Sequence, residues 1–287
     1  MKKKLLITLA AVLVLLSGCT QKMTAAVIAA KAASNMQKTT SAVMDLEIEL
    51  NADIDTSALT QSFLGMPIDL GPVSTDIQAA LRCETTSDPS ALHGTGSLNL
   101  NIPMVPEIPV EMYVVPENGE SMMYTSTAGM WIKKSLPARE TKETESQPWY
   151  KMIFGTWQAV SDDMISMDEG TVEKDGRECY VLHGNIPSSM VYDFLVSSVD
   201  LSSILGDTSS IDFGDQKTPV TIYVDKEKLL PYILTMDDPA FANTLMAGTK
   251  LSPVSLKDMS LKVTYQSFDS VESITVPQEA VQNAQAF

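Results

Sequence analysis

The chain has 287 residues, with 36 acidic against 20 basic side chains and a formal net charge of −16. So acidic a surface repels phosphate backbones and anionic headgroups, which argues against nucleic acid or an anionic membrane surface as a partner. Aromatic residues are scarce at 6 %, whereas 17 methionines stand out; methionine serves both as core filler and on surfaces that accept varied apolar partners.

The first nineteen residues have three parts. Lys2, Lys3 and Lys4 open with positive charge, Leu5 to Leu16 form an apolar run, and Ser17-Gly18 precede Cys19. A spanning helix needs about 20 apolar residues, so this shorter run reads as an export signal. Leu16-Ser17-Gly18-Cys19 resembles the lipobox of bacterial lipoproteins. That resemblance implies a signal peptide over residues 1–18, a diacylglyceryl group with palmitate-type chains on the Cys19 thiol, and a tether over residues 19–23. The expected location is the extracytoplasmic face of the cell membrane. Loss of three lysines with the signal takes the charge from −16 to −19. Two acyl chains suffice for stable anchoring, each buried CH₂ contributing about 0.8 kcal/mol.

After the tether, "MTAAVIAAKAASNMQKTT" has no proline or glycine and predicts a helix over Thr24–Lys38, with Val27, Ile28, Ala32 and Met36 as its apolar stripe. Period two then takes over. Met44, Leu46, Ile48, Leu50 and Ala52 alternate with Asp45, Glu47, Glu49 and Asn51, the pattern of a strand with one buried face. "LHGTGSLNLNI" repeats it, with Gly94 and Gly96 on the apolar face, where a glycine marks a bend or a close approach. "IPVEMYVV", "SMMYTS" and "GMWIKK" follow, separated by "PENGE" and an Ala128-Gly129 turn, as in an antiparallel meander.

"LPARETKETESQP" reads as an exposed loop, and "WYKMIFGTW" as a short helix or strand whose Trp149, Phe154 and Trp157 need burial or a partner. "RECYVLHG" predicts a strand. A helix is expected from Ser188 to about Leu205, with Val191, Phe194, Leu195, Val199 and Leu201 on its apolar side. "TPVTIYVD", "YILTMD" and "SLKVTYQSF" complete ten or eleven strands, with no internal repeat and no Ser/Gly/Pro-rich linker, so residues 24–287 form one domain.

This arrangement resembles the LolA/LppX-like lipoproteins. The residues that carry the likeness are the helix running into Met44–Ala52, Trp131-Ile132-Lys133 at a strand end, and Tyr180-Val181-Leu182 ahead of the second helix. To these add the Asp225–Tyr232 turn "VDKEKLLPY" and the tail Ile274-Thr275-Val276-Pro277-Gln278-Glu279. The resemblance implies a mainly β fold: a strongly curved antiparallel sheet, an incomplete β-barrel covered by two or three helices. Within its concavity an acyl chain or other hydrophobic ligand would lie against Met44, Leu46, Ile48, Leu98, Leu100, Val110, Met112, Met122 and Phe194. The alternative is that these residues form an ordinary closed core. Two segments, Pro137–Pro148 and Asp53–Val73, exceed what the small carriers need, and Leu59, Phe63, Leu64 and Met66 in the second are apolar enough to plug a cavity.

No enzyme signature is present: no G-x-S-x-G, H-E-x-x-H, G-x-x-x-x-G-K, C-x-x-C or S-x-x-K. No catalytic residue, metal site or cofactor is therefore expected. His93 and His183 lie on strands without a third ligand at fixed spacing, and the acidic run through Asp162, Asp163, Asp168, Glu169 and Asp175 lacks calcium-loop spacing. Cys83 and Cys179 fall in strands and can form a disulfide or remain two buried thiols. Two functions follow: a membrane-anchored, non-enzymatic carrier of a lipid or other hydrophobic ligand, or a surface-tethered scaffold without a cavity that binds a cell-envelope protein through exposed aromatic area.

Overall fold

The alternating segments pair into a single sheet in the computed structural model of the protein, which describes residues 23–55, 72–101, 105–127, 129–136, 150–151, 154, 157, 161–198, 211–247 and 254–286. The strands are β1 (Ser41–Asp55), β2 (Pro72–Ser87), β3 (Ser90–Asn99), β4 (Ile108–Glu117), β5 (Glu120–Thr127), β6 (Met130–Leu136), β7 (Ile165–Met167), β8 (Val172–Lys174), β9 (Arg177–Pro187), β10 (Lys217–Asp225), β11 (Pro231–Asp237), β12 (Val254–Phe268) and β13 (Gln285–Ala286). Four helices accompany them: α1 (Ala25–Lys38), α2 (Ser188–Ser198), α3 (Pro239–Ala247) and α4 (Gln278–Asn283). The order across the sheet is β13-β6-β5-β4-β3-β2-β1-β12-β11-β10-β9-β7, with β8 also on β9. Every pair is antiparallel except the short β13–β6 contact. The two ends of this path do not meet, so the sheet is a curved, incomplete barrel.

Strand β1 is the seam. It pairs with β2 along its whole length and with β12, the last long strand, so that the N- and C-terminal halves join there. Register shifts against β12 at Val43/Met44 and Asn51/Ala52 raise the local twist and curve the sheet. Short turns close one end, which we call the near end. There Asn118 and Gly119 take positive φ of 55° and 86°, the Asn-Gly hairpin geometry that only such residues adopt cheaply. The connections β1–β2, β3–β4, β5–β6, β9–β10 and β11–β12 all lie at the opposite, far end.

The inner face packs around α1. Thr24 caps this helix through its side chain to the Val27 amide, and Ile28, Ala29, Ala32, Ala33 and Met36 are buried. Fully burying Ile28 and Met36 contributes about 1.5–3 kcal/mol each, and the small alanines between them let the helix lie close to the sheet. Tyr150, Phe154 and Trp157 join this core. The Phe154 ring meets Trp157 and Tyr265 edge-on, at centroid distances of 6.5 and 6.1 Å. The aromatic residues of "WYKMIFGTW" that the structure describes are thus interior, not displayed; Trp149 lies outside the described residues. Helix α3 packs on β12, and α2 on β9 and β10. The second helix is described as far as Ser198, and the remainder of the expected Ser188–Leu205 span lies outside the described residues.

Gly94 and Gly96 sit on the inner face of β3, as the alternation predicts, but for different reasons. A Cβ at Gly96 would stand 1.9 Å from the Ala80 carbonyl oxygen, so the backbone of β2 occupies that space. At Gly94 the obstacle is the flexible Met112 thioether, 2.9 Å away at Cγ. Gly96→Ala is therefore expected to cost about 1–3 kcal/mol of stability and Gly94→Ala less, because methionine can swing aside. Urea unfolding of the two variants checks the ranking.

Candidate functional site

Burial along the inner face is uneven, and the candidate site lies where it fails. Inward-facing residues of β1 to β4 stack in cross-strand rows. Toward the near end, Met44–Cys83–Gly94–Met112 and Leu46–Leu81 are buried, with Met123 beside them on β5. Toward the far end, Ile48–Ala79–Leu98–Ile108 and Leu50–Ile77 are only half-buried. Lengths account for the difference. At 14 residues α1 is about 21 Å long, whereas the 15 residues of β1 extend about 50 Å. One helix cannot cover that face.

The expected lining divides accordingly. Met44, Leu46 and Met112 belong to the closed core. Ile48 and Val110 are half-buried and packed against it. Leu98 and Leu100 are half-buried without joining the core cluster, and Ile108 shares that condition. Phe194 falls in α2, and its surroundings lie outside the described residues. Met122 requires correction: it pairs with Val115 on the outer face, and its neighbour Met123 points inward. Two adjacent methionines hide which of them keeps the phase. Ile77, Ala79 and Ile108 were missed; the alternation of β2 and the pairing of β4 with β3 identify them.

A polar network seals the near end. Lys151 is buried at 5 % exposure, and its Nζ donates to the Gln37 and Thr39 carbonyls at the end of α1, at 3.1 and 2.5 Å. A cation there complements the helix dipole. Burial pushes the Lys151 pKa below the ordinary lysine value, opposed by the Asp269 charge. Asp269 accepts from the Thr40 amide and hydroxyl at 2.6 and 2.9 Å, which fixes the start of β1. The Tyr150 hydroxyl hydrogen-bonds Ser87 at 2.7 Å.

The outer face is polar and largely satisfied. His93 stacks on Tyr113, with ring centroids 4.3 Å apart and planes at 9°. Its Nε2 stands 3.4 Å from the Glu111 carboxylate, an ion-pair distance without hydrogen-bond geometry. His183 bridges Asp168 and Thr221, each at 3.1 Å. The acidic run is exposed, with Asp162 on the Ala26 amide, Asp163 on Ser161 and Asp175 on Tyr232. A cleft of about 510 Å³ is lined mainly by polar residues, among them Asp162, His183, Asn185, Thr221 and Asp237, with Met164, Ile165 and Val220 also on its wall, and a second of about 320 Å³ by Glu49, Asn51, Asp76 and Asp258 together with Leu50 and Met259. Such lining suits water rather than a hydrocarbon chain. Among the described residues, no group of three or more His, Cys, Asp or Glu is placed to hold a metal, and no helix is long and apolar enough to cross a membrane.

Cys83 and Cys179 are free, buried thiols, the second of the two alternatives that the sequence leaves open. Cys83 faces the inner core, whereas Cys179 lies in an outer cluster with Tyr232 and Ile233. The sheet itself separates them. Burial pushes the Cys83 thiol up to about 12, and burial likewise raises Cys179. Neither thiol is expected to react with a thiol reagent in the native protein, even at about pH 9.5, because burial excludes the reagent and keeps the thiolate from forming. Both react after denaturation. Titration with Ellman's reagent before and after unfolding checks this.

Residues 24–285 match the model of a family described as "Family of unknown function (DUF6612)", and the chain belongs to that family. No curated protein matches the sequence. Among solved structures, LprF from Mycobacterium bovis aligns over 89 % of this chain and 96 % of its own, at 13 % identity and a TM-score of 0.46. The Mycobacterium tuberculosis lipoprotein LppX aligns over 88 % and 98 %, at 11 % identity and a TM-score of 0.44. A DUF1329 family protein from Desulfovibrio piger aligns over 87 % and 93 %, at 9 % identity and a TM-score of 0.25. The half-open barrel itself is read from the chain's own strand order.

Proposed function

We propose that this member of the DUF6612 family is an exported lipoprotein, anchored to the cell membrane through Cys19, that holds a lipid or another hydrophobic ligand against the far end of its inner face. The observation that supports this reading is the half-buried apolar wall of Ile48, Leu98, Ile108 and Val110, continuous with a closed core yet not covered by α1. Leaving such a wall half wet forgoes about 25 cal/mol for each Å² that a guest would cover. An acyl chain gains about 0.8 kcal/mol per CH₂ by lying there and requires no directional polar partner. The reading needs no catalytic chemistry. The scaffold alternative loses part of its motivation, because Trp157 is buried at 3 % exposure in the core.

Organic extraction and native mass spectrometry of the purified protein are expected to yield a bound hydrophobic species. A carboxylate in the wall opposes that binding, because a charge resists transfer into an apolar site. The Leu98→Asp and Ile108→Asp variants should therefore retain the ligand at least tenfold less well, with the circular dichroism spectrum unchanged. If the wild-type chain yields no ligand from cells or on incubation with lipid vesicles, the carrier reading fails.

The anchor is tested separately. The Cys19→Ser variant should move from the detergent phase to the aqueous phase in Triton X-114 partitioning and lose the mass of the diacylglyceryl group, leaving the folded domain intact.

A further inference from the structure

Among the described residues, Asp238 is a buried carboxylate with one oxygen unpartnered. We infer that Asp238, with Gln216 beside it, forms a polar subsite for the head of an amphiphile whose chain lies on the far-end wall, and that this head carries a hydroxyl. The inference rests on the carrier reading above and adds the chemistry of the ligand's polar end.

The strand ladders fix its position. Asp237 pairs with Ser260, and the Asp238 amide donates to the Met259 carbonyl at 3.3 Å, so Asp238 continues β11 against β12. Met236, two residues earlier, belongs to the inner core, and alternation turns Asp238 the same way. It is buried at 6 % exposure, whereas Asp237 is exposed. Extending the Val220–Met236 pairing by two residues sets Thr218 opposite Asp238. On the other side Met259 stands opposite Leu50, and Leu50 opposite Ile77. One inner row thus runs Thr218, Asp238, Met259, Leu50, Ile77, and its last two members are half-buried parts of the wall. Two strand spacings, about 10 Å, separate Asp238 from Leu50. A single amphiphile can reach both, with the flexible Met259 side chain between them.

Helix capping explains only half of this carboxylate. Asp238 Oδ1 accepts from the Ala240 amide at 3.0 Å and caps α3, a task that serine or threonine performs with one oxygen. Oδ2 is buried and has no hydrogen-bond partner among the described residues. Such an acceptor carries the full cost of its lost hydration. Gln216 lies two residues before Thr218, about 7 Å along the chain on the same side. Its Oε1 accepts from the Thr244 hydroxyl of α3 at 2.7 Å, and its Nε2 is likewise buried without a partner. Ser188 and Thr218, both wholly buried, bond each other at 2.8 Å. The apolar inner face turns polar here.

The two unmet atoms are an acceptor and a donor. A hydroxyl both donates and accepts, so a hydroxyl-bearing head answers Asp238 and Gln216 alike. An ammonium would meet Asp238 but leave the Gln216 amide unmet, and an ester or trimethylammonium head offers Asp238 no donor. A carboxylate or phosphate head is opposed by the like charge.

The test is native mass spectrometry of the protein purified from cells in detergent, after incubation with an equimolar mixture of hexadecanol and its methyl ether. The two probes share a chain and differ in the one O–H. The wild type should carry the alcohol roughly tenfold over the ether, the scale of a hydrogen bond to a charged acceptor. Asp238→Ser keeps a capping oxygen, removes Oδ2 and should level the two probes. Gln216→Met should lower the preference part-way, with circular dichroism confirming that both variants fold. Equal loading of the wild type, or a preference that survives Asp238→Ser, overturns the subsite and leaves the carrier reading intact. A Gln216→Met variant with the full preference strikes Gln216 from the site. Absence of both adducts also overturns the subsite, whereas the carrier reading falls only if extraction and vesicle incubation yield no ligand as well.

Discussion

A curved antiparallel sheet has one face that must be kept from water, and the shape of this molecule follows from what is available to cover it. The long strands β1, β2 and β12 carry apolar residues over some 15 residues each. Helix α1 reaches along less than half of that length, and it buries Ala25, Ile28, Met36 and the alanines between them. Tyr150, Phe154 and Trp157 extend the cover around α1, and Phe213, Phe241 and Leu245 extend it over β10 to β12. What remains is the far-end stretch of β1 to β4. Its half-burial results from a cover shorter than the surface beneath it.

The two ends of the barrel are built differently, and the difference is electrostatic as much as hydrophobic. At the near end the last carbonyls of α1 meet a buried lysine, Tyr150 and the Asp269-fixed start of β1. A buried ammonium is tolerable only because its donors are spent on carbonyls and a carboxylate lies nearby. Such a network has few alternative arrangements and closes the end firmly. Among the described residues, no equivalent set of polar side chains crosses the inner face between Ile48 and Ile108, where the row is Ile48, Ala79, Leu98 and Ile108.

Much of this was legible in the sequence, because alternation reports directly on a sheet with one dry face. The expected α1 stands where its helical stripe placed it, and β1, β3 and the meander through β6 stand where period two placed them. Other elements escaped, among them the short β7, β8 and β13 and the helices α3 and α4, and β2 was placed only around Cys83. In β2, Ile77, Ala79, Leu81 and Cys83 do alternate with Asp76, Gln78 and Arg82, but alanine at 79 and 80 flattens the contrast between faces. In α3, Asp238-Pro239 is a sound helix start, with the Asp238 carboxylate accepting from Ala240, yet the segment is only nine residues long. The site was legible in part. Period two places Met44 and Leu98 on one face, but it cannot say that one is sealed and the other half-wet, since that depends on where a helix distant in sequence comes to lie. Nor can it choose between Met122 and Met123.

Methionine use fits this division. Met36, Met44, Met112, Met123, Met236 and Met259 are all buried; the first four pack in the near-end core, whereas Met259 stands opposite Leu50 and Met236 shares the row of Ile48 through Leu261. The wall is lined instead by Ile48, Leu98, Ile108 and Val110, whose branched side chains keep defined rotamers. An adaptable core therefore backs a comparatively stiff surface. A guest entering from the far end would meet a wall of fixed shape and displace thioethers behind it, which can refill a gap or yield to an intruding methyl with little strain. This arrangement accommodates chains of varied length or branching better than an aromatic-lined pocket would, because no ring must rotate as a unit to admit them. Selectivity would then come from the length of the uncovered wall, and that length is set by where α1 stops covering β1.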